Sequence, residues 1–343
     1  MSERDAAPAT PPDAVPAPDA APAPDAAPAP GEPDAARACP ACGGELAPWL
    51  TVPGSDPALP GQYALARCRV CATAVTLAPA PAQAHETGAY GGGRPRGARA
   101  AAPVLRAFDH RRLRQLARAG AQTTGRLLDI GAGRGRFVAQ ARAHGWYAHG
   151  LEPSQRGIEG ARAIGIELVA GGIDDAEVPP ASLDAATLWH VLEHVEDPGA
   201  ALERIASWLR PGGLLLVGVP NLASVQARIG GARWYHLDVP RHRTHFTADG
   251  LQRLLRAHGL EPLSTCHVLA EHNPFGLWVS FVSRFTRVPS WLYHALKRNA
   301  PLRSRDALVT LAALPLAPVA VVLEAGFGLV RRGGTVSVVA RRV

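Results

Sequence analysis

From Gly125 onward, short apolar runs alternate with stretches in which apolar positions recur every three or four residues. The runs Leu127–Ile130, Tyr147–Leu151, Glu167–Val169, Ala185–Leu188 and Leu214–Val219 are predicted strands. Phe137–His144, Gln155–Ile164 and Gly199–Leu209 carry the helical period. Alternation of this kind predicts an α/β fold with a doubly wound parallel sheet, whose ligands sit at the carboxyl ends of the strands where the strand order reverses. Upstream, Val104–Ala119 is a predicted helix with Leu105, Phe108, Leu113 and Leu116 on its apolar side.

The remaining segments differ in kind. Residues 1–37 are almost wholly Ala, Pro, Asp and Glu, with PAPDAA occurring twice at 16–21 and 22–27. No side chain there is apolar enough to offset the entropy of ordering it, so a disordered leader is expected. Acids follow Met1 directly and no apolar core of a secretory signal follows them, which makes a cytoplasmic location the expectation. Residues 38–90 hold four cysteines, 91–103 (GGGRPRGARAAAP) is a Gly/Pro/Arg linker, and 104–343 is the main domain, interrupted by an apolar segment at 271–333.

Composition adjusts this picture in two places. Of the 36 basic residues only Lys297 is a lysine, a bias that weakens arginine richness as evidence for nucleic acid. The net charge of +7 combines −6 in residues 1–36 with +13 in the rest of the 343-residue chain. Collagen, coiled-coil and disulfide-built architectures are excluded.

The cysteines form two pairs, Cys39-Pro-Ala-Cys42 and Cys68-Arg-Val-Cys71. Each CxxC turn presents two sulfurs, and two facing turns complete a tetrahedral four-thiolate shell for a structural Zn²⁺ with no open position for catalysis. Disulfides or redox dithiols are the alternative; the absence of an export signal and the strand-like Tyr63–Arg67 favour a zinc ribbon. Cys266 stands alone in an apolar run and is expected to be a small buried hydrophobe.

The sharpest chemical pattern is the strand Leu127–Ile130 leading into Gly131-Ala132-Gly133-Arg134-Gly135 and a helix. Glycines let the backbone approach a ligand, and N–H groups at a helix start suit an anionic group. A dinucleotide fingerprint would place glycine where Arg136 stands. Glu152 ends the next strand about twenty residues on, where an acid can hold ribose hydroxyls. Loop, acid and the segments Ser182–Pro198, Leu209–Asn221 and Asp238–Thr247 together resemble class I S-adenosylmethionine-dependent methyltransferases of the broad family with LEH and PRH segments. The cysteine ribbon and a Tyr90 region resemble zinc-bearing members of that group. The resemblance implies a seven-stranded Rossmann-like sheet closed by antiparallel strands at Glu261–Val268 and Thr335–Arg341. It also implies S-adenosylmethionine as cofactor. Asp129, Gly131, Ala132, Gly133 and Gly135 would meet its methionine part, Glu152 and Pro153 the ribose, Ile173 with Asp174 or Asp175 the adenine, and Trp189-His190 its other side.

A sulfonium methyl group is already electrophilic, so the protein mainly aligns an acceptor and removes its proton. For a hydroxyl acceptor the candidate bases are His242 and His245 in Pro240-Arg-His-Arg-Thr-His-Phe246, then His190; His194 is expected to pack beside Glu193. Arg241 and Arg243 either meet an anionic substrate or form salt bridges to the body. No NPPY-like tetrapeptide and no Pro-Cys nucleophile is present, which argues against base methylation of nucleic acids. A small-molecule, lipid-linked or saccharide-linked acceptor, methylated at oxygen, is the leading expectation. An RNA methyltransferase and a non-catalytic cofactor-binding scaffold are the alternatives, and no oligomeric state is implied.

The insertion is the odd segment. It carries Phe275, Trp278, Phe281, Phe285, Trp291 and Tyr293, the first four at helical spacing, and residues 307–323 hold no charge. Arg303, Arg305, Arg331 and Arg332 bracket it. It is marginal as a span of about 20 residues, and a single crossing would leave the last strand on the wrong side. Peripheral contact of residues 272–332 with the inner face of a membrane is the leading expectation; a core-packed hairpin, a lid over a lipophilic substrate or a dimer interface are the alternatives.

Overall fold

The computed structural model describes residues 38–56, 59–78, 98–122, 124–267, 273–297 and 303–343; for 98–102 and 104 only the backbone is described. The expected leader, Tyr90 and the linker up to residue 97 lie outside the described residues.

Strands β4 (Arg126–Ile130), β5 (Tyr147–Glu152), β6 (Val169–Ala170), β7 (Leu183–Trp189), β8 (Leu209–Pro220), β10 (Leu260–Cys266) and β11 (Thr335–Arg342) form a seven-stranded sheet in the order β10-β11-β8-β7-β4-β5-β6. The pairs β4/β5, β4/β7, β7/β8 and β5/β6 are parallel, while β11 is antiparallel to both β8 and β10. The predicted closing pair is therefore present. β6 is shorter and later than the predicted Glu167–Val169: Ile166 and Leu168 point into the core, and Gly171 at φ 131° turns the chain away after two paired residues.

Helices cover the sheet as the alternation implies. Residues Ala98–Arg118 form α1, Arg136–Ala143 α2, Gln155–Arg162 α3 and Pro198–Trp208 α4. Local chemistry fixes their starts: Ser154 Oγ accepts from Gly157 N, and Asp197 accepts from Gly199 N and Ala200 N with Pro198 at the first helical position. Strand order reverses between β5–β4 and β4–β7, so the carboxyl ends of β4, β5 and β7 face one crevice.

The cysteine segment is not a separate domain. Its strands β1 (Leu46–Pro53), β2 (Gln62–Cys68) and β3 (Ala74–Thr76) form a sheet that β9 (Thr244–His245), from the PRH segment, completes. Cys39, Cys68 and Cys71 share one core with Phe246 and with Leu251 and Leu254 of α6 (Ala248–Ala257), which follows α5 (Val225–Gly230) in the chain. Arg241 locks this junction. Its buried guanidinium donates to Asp56 Oδ2 at 2.6 Å and to both carboxylate oxygens of Asp238. Burial opposes the charge on Asp238, yet Arg241 outweighs it and holds the carboxyl well below its usual range.

The insertion folds as α7 (Asn273–Val282), α8 (Trp291–Leu296), α9 (Ser304–Ala313) and α10 (Ala317–Leu329); a tight turn at Leu314–Leu316 joins the last two into one 26-residue helix. The four aromatic positions do not share a face. Trp278 is buried and Phe275 packs on its cluster, whereas Phe281 is exposed and Phe285 lies beyond the helix end, also exposed. Cys266 is half-buried on edge strand β10, with Arg111 Nη2 at 3.8 Å, so it is not the buried hydrophobe expected.

Removing one partner of a buried ion pair costs about 3–5 kcal/mol. Asp56→Ala is expected to destabilise by about that amount in urea denaturation, with ribbon and sheet still unfolding in one transition; two separated transitions would show that the junction is not shared.

Candidate active site

The glycine loop sits at the centre of the crevice. Gly131, Gly133 and Gly135 all have positive φ (70°, 58° and 71°), a region costly to side chains. A Cβ on Gly131 would meet Val191 Cγ2 at 2.4 Å, so that residue is also excluded by packing. Ala132 is buried and its N–H donates to Leu151 O, tying the loop to β5. Glu152, buried at the end of β5, accepts from Gly133 N at 2.6 Å and from Ser154 N at 3.0 Å. Pro153 is exposed beside it.

Asp129 lies on β4, buried, and accepts from Thr187 Oγ1 of β7 at 2.6 Å. Burial raises its pKa to about 6; the Thr187 hydrogen bond and Arg112 oppose the rise, and Asp109 and Glu152 add to it. Two carboxylates thus share a small, largely desolvated space, an arrangement suited to a cationic ligand.

In the turn after β6, Asp175 Oδ2 accepts from Gly172 N at 3.0 Å and so folds back on its own turn; Asp174 and Asp175 are both exposed. Ile173 is packed in the main core, so it contributes to the turn's position.

At the end of β7, Trp189 lies against Gly218 of β8, with the Arg112 guanidinium 4.0 Å over its ring. Its buried Nε1 has no hydrogen-bond partner among the described residues. His190 has φ 55°, its Nδ1 lies 2.8 Å from Glu193 Oε1, and its ring stacks on His236 with centroids 5.8 Å apart.

The PRH histidines are placed otherwise than expected. His242 is buried, with Nδ1 on His236 O at 2.9 Å and the ring edge-on to His194 at 4.5 Å. Burial lowers its pKa well below the usual range, and the charge of His194 adds to that. His245 lies in β9 under the ribbon, where Nε2 meets Thr76 Oγ1 at 3.0 Å and burial lowers its pKa to about 4. Neither is matched to accepting a proton near neutral pH. Arg241 and Arg243 make ion pairs to the body, Arg243 with both oxygens of Glu196 at 2.8 and 2.9 Å. His194 accordingly packs against the PRH loop, its Nδ1 3.2 Å from Arg241 O.

Thr187, Asp109, Arg112 and His236 were not among the expected site residues. Asp109 and Arg112 come from α1, where Asp109 pairs with Arg136 at 2.9 Å. Their only sequence trace is the charged cluster Asp109-His-Arg-Arg112, in a helix that also carries Arg99, Arg106, Arg114 and Arg118.

The four cysteine sulfurs lie within 4.8 Å of one another, with Cys39–Cys71 at 3.6 Å and Cys42–Cys68 at 3.5 Å. These separations are far longer than a disulfide, and close to those of thiolates about 2.3 Å from one tetrahedral ion. Without an ion, burial raises the thiol pKa values of Cys39 and Cys42, while at Cys68 the N–H groups of Cys71 and Val70 outweigh burial and bring it to about 7.

Residues 99–265 match the methyltransferase-domain family. They form a methyltransferase domain. Among curated proteins, a ubiquinone biosynthesis O-methyltransferase of Aeromonas salmonicida is 29% identical over 167 residues, covering 44% of this chain and 70% of that protein. A 37.1 kDa protein of unknown role from transposon TN4556 of Streptomyces fradiae is 32% identical over 136 residues, 37% of each chain. A ubiquinone biosynthesis O-methyltransferase of Bradyrhizobium is 32% identical over 124 residues, 34% of this chain and 49% of its own. The matches thus span from about a third to just over two thirds of these relatives. A solved SAM-dependent methyltransferase of Thermotoga maritima is 21% identical, with a TM-score of 0.45, over 70% of this chain and 92% of its own.

The site residues fit S-adenosylmethionine: carboxylates for its cationic groups and ribose, the exposed Asp174, and the unpartnered indole N–H of Trp189. Asp129→Asn tests the electrostatics. A raised carboxyl pKa means the folded state binds the proton more tightly, so its contribution to stability is present below about pH 4 and is lost as pH rises through about 6. The variant is therefore expected to stabilise the ligand-free protein at pH 7 by up to about 3 kcal/mol. Calorimetry should show S-adenosylmethionine affinity falling in the wild type as pH drops below about 6, and a weaker, pH-flat affinity in the variant. Equal pH dependence in both would remove Asp129 from cofactor recognition.

Proposed function

We propose that the chain transfers the methyl group of S-adenosylmethionine to an oxygen of a small or lipid-linked acceptor, in the cytoplasm at the inner face of a membrane. The observation that carries the oxygen assignment is the His190–Glu193 pair at the carboxyl end of β7. Glu193 fixes the Nδ1–H tautomer and stabilises the imidazolium that forms when the ring takes a hydroxyl proton. When bound, the cofactor supplies an electrophilic methyl group on a sulfonium centre. Glu152 and Asp129 would hold its cationic and ribose parts, and Trp189 with His236 would wall the side on which an acceptor is aligned. His190 would take the proton of the acceptor hydroxyl as that oxygen gains the methyl carbon, with the neutral thioether as the second product. The names of the curated relatives support oxygen as the methylated atom.

The ribbon is proposed to hold one Zn²⁺ on Cys39, Cys42, Cys68 and Cys71, fixing the sheet that β9 joins. Its support is the sulfur cluster and its burial. A closed four-sulfur shell gives the ion no part in the methyl transfer.

Isothermal titration with S-adenosylhomocysteine tests the reading, alongside elemental analysis of the same protein. Heat of binding is expected for the wild type with a loss of tenfold or more for Glu152→Ala, and about one zinc per chain in both. No binding by the wild type, or equal binding by the variant, overturns the cofactor assignment; zinc-free folded protein overturns the ribbon assignment.

A further inference from the structure

The 26-residue helix Ser304–Leu329 is built inside out. The positions it turns toward the body recur every three or four residues and are mostly small or polar, Asp306, Thr310, Ala313, Ala317, Ala320, Glu324 and Gly328, with half-buried Val309 and Phe327 the large apolar ones among them. The positions it turns outward are large and apolar. Leu308 is 66% exposed, Leu311 62%, Val322 72% and Leu329 77%, and Leu314, Val319 and Leu323 are exposed between them. A helix packed on a water-soluble body has the reverse pattern. An apolar patch of this length marks a surface that is covered in use.

The inward stripe pins the helix along its length. Asp306 accepts from Arg287 N at 2.9 Å and from Val288 N, and Trp278 Nε1 donates to Ala313 O at 2.8 Å. Glu324 accepts from Gln226 Nε2 at 3.2 Å and from Gly334 N, at the start of the chain's return into β11. A helix fixed to the domain at both ends and on one whole side cannot cross a bilayer. It can lie on one.

Charge selects the occupant. Between residues 273 and 334 the acids are Asp306 and Glu324, both buried. Arg284, Arg287, Arg303, Arg305, Arg331 and Arg332 are all exposed, at the two ends of the long helix and beside Phe281 and Phe285. A second copy of the chain would bring like charges together, whereas a surface of anionic headgroups over acyl chains matches both the arginines and the apolar face.

We propose that this face docks the protein on an anionic bilayer surface, with α9 and α10 lying in the interface and the arginines at headgroup level. The proposal deepens the membrane-surface part of the proposed function and does not depend on which acceptor is methylated. The full chain is mixed with vesicles of phosphatidylcholine alone or with about one third phosphatidylglycerol, and partitioning is read by flotation. Tenfold or greater enrichment on the anionic vesicles is expected, weakening with added salt. It should be lost in Leu311→Gln/Val322→Gln/Leu329→Gln and reduced several-fold in Arg331→Gln/Arg332→Gln. Equal partitioning of wild type and the triple variant overturns the proposal. So does retention after alkaline carbonate washing, which marks a span, or a lipid-independent dimer in light scattering that the triple variant abolishes. S-adenosylhomocysteine binding measured on the same variants separates the two readings: flotation lost with binding kept confirms the docking face, and binding absent with flotation kept sinks only the cofactor assignment.

Discussion

The Arg241 guanidinium, buried between Asp56 and Asp238, is the interaction on which the arrangement around the site depends. Asp56 belongs to the cysteine segment and Asp238 to the loop entering the PRH segment, so one cation fixes the ribbon, the loop and the histidines around it. From that loop His236 stacks on His190, and Arg243 continues the junction by gripping Glu196. A buried guanidinium with two carboxylates is costly to leave half-paired, and this makes the geometry close to all-or-none. The same segment that gives β9 to the ribbon sheet thereby forms one wall of the site.

The crevice faces the opposite demand. Asp129 and Glu152 stand close together with little water, so the ligand-free protein carries unfavourable electrostatics where a cationic cofactor would relieve it. Stability given up at such a position is recovered on binding, which is a general property of sites built for charged ligands. The strained φ of His190 lies at the same end of the sheet, where Glu193 orients the ring.

Much of this was legible in the chain because it rests on local pattern. Alternating apolar runs specify the sheet, Gly131-x-Gly133-x-Gly135 specifies a turn that only glycine enters easily, and Glu152 follows from strand spacing. What depended on tertiary contact was not legible. Nothing in Thr244–His245 announces a strand, because it pairs with β3 more than 160 residues earlier in the chain. His242 and His245 were candidate bases from their place in the PRH segment; the structure buries them against His236 O and Thr76, and burial lowers both pKa values, which is why His190 is the base in the proposed function. The insertion's composition was visible but its polarity was not. Only packing shows that Asp306 and Glu324 turn inward and the leucines and valines turn out.

The most direct test of the central claim is transfer of the methyl group itself. The purified chain would be incubated with S-adenosylmethionine carrying a deuterated methyl group and with separate polar and lipid extracts, and products read by mass spectrometry. The account predicts a labelled product bearing a new oxygen-linked methyl group, formed with S-adenosylhomocysteine and enriched in the lipid fraction. Its formation should collapse in His190→Ala while S-adenosylhomocysteine binding is kept. Label found in no extract, or an undiminished yield in the His190 variant, would contradict it.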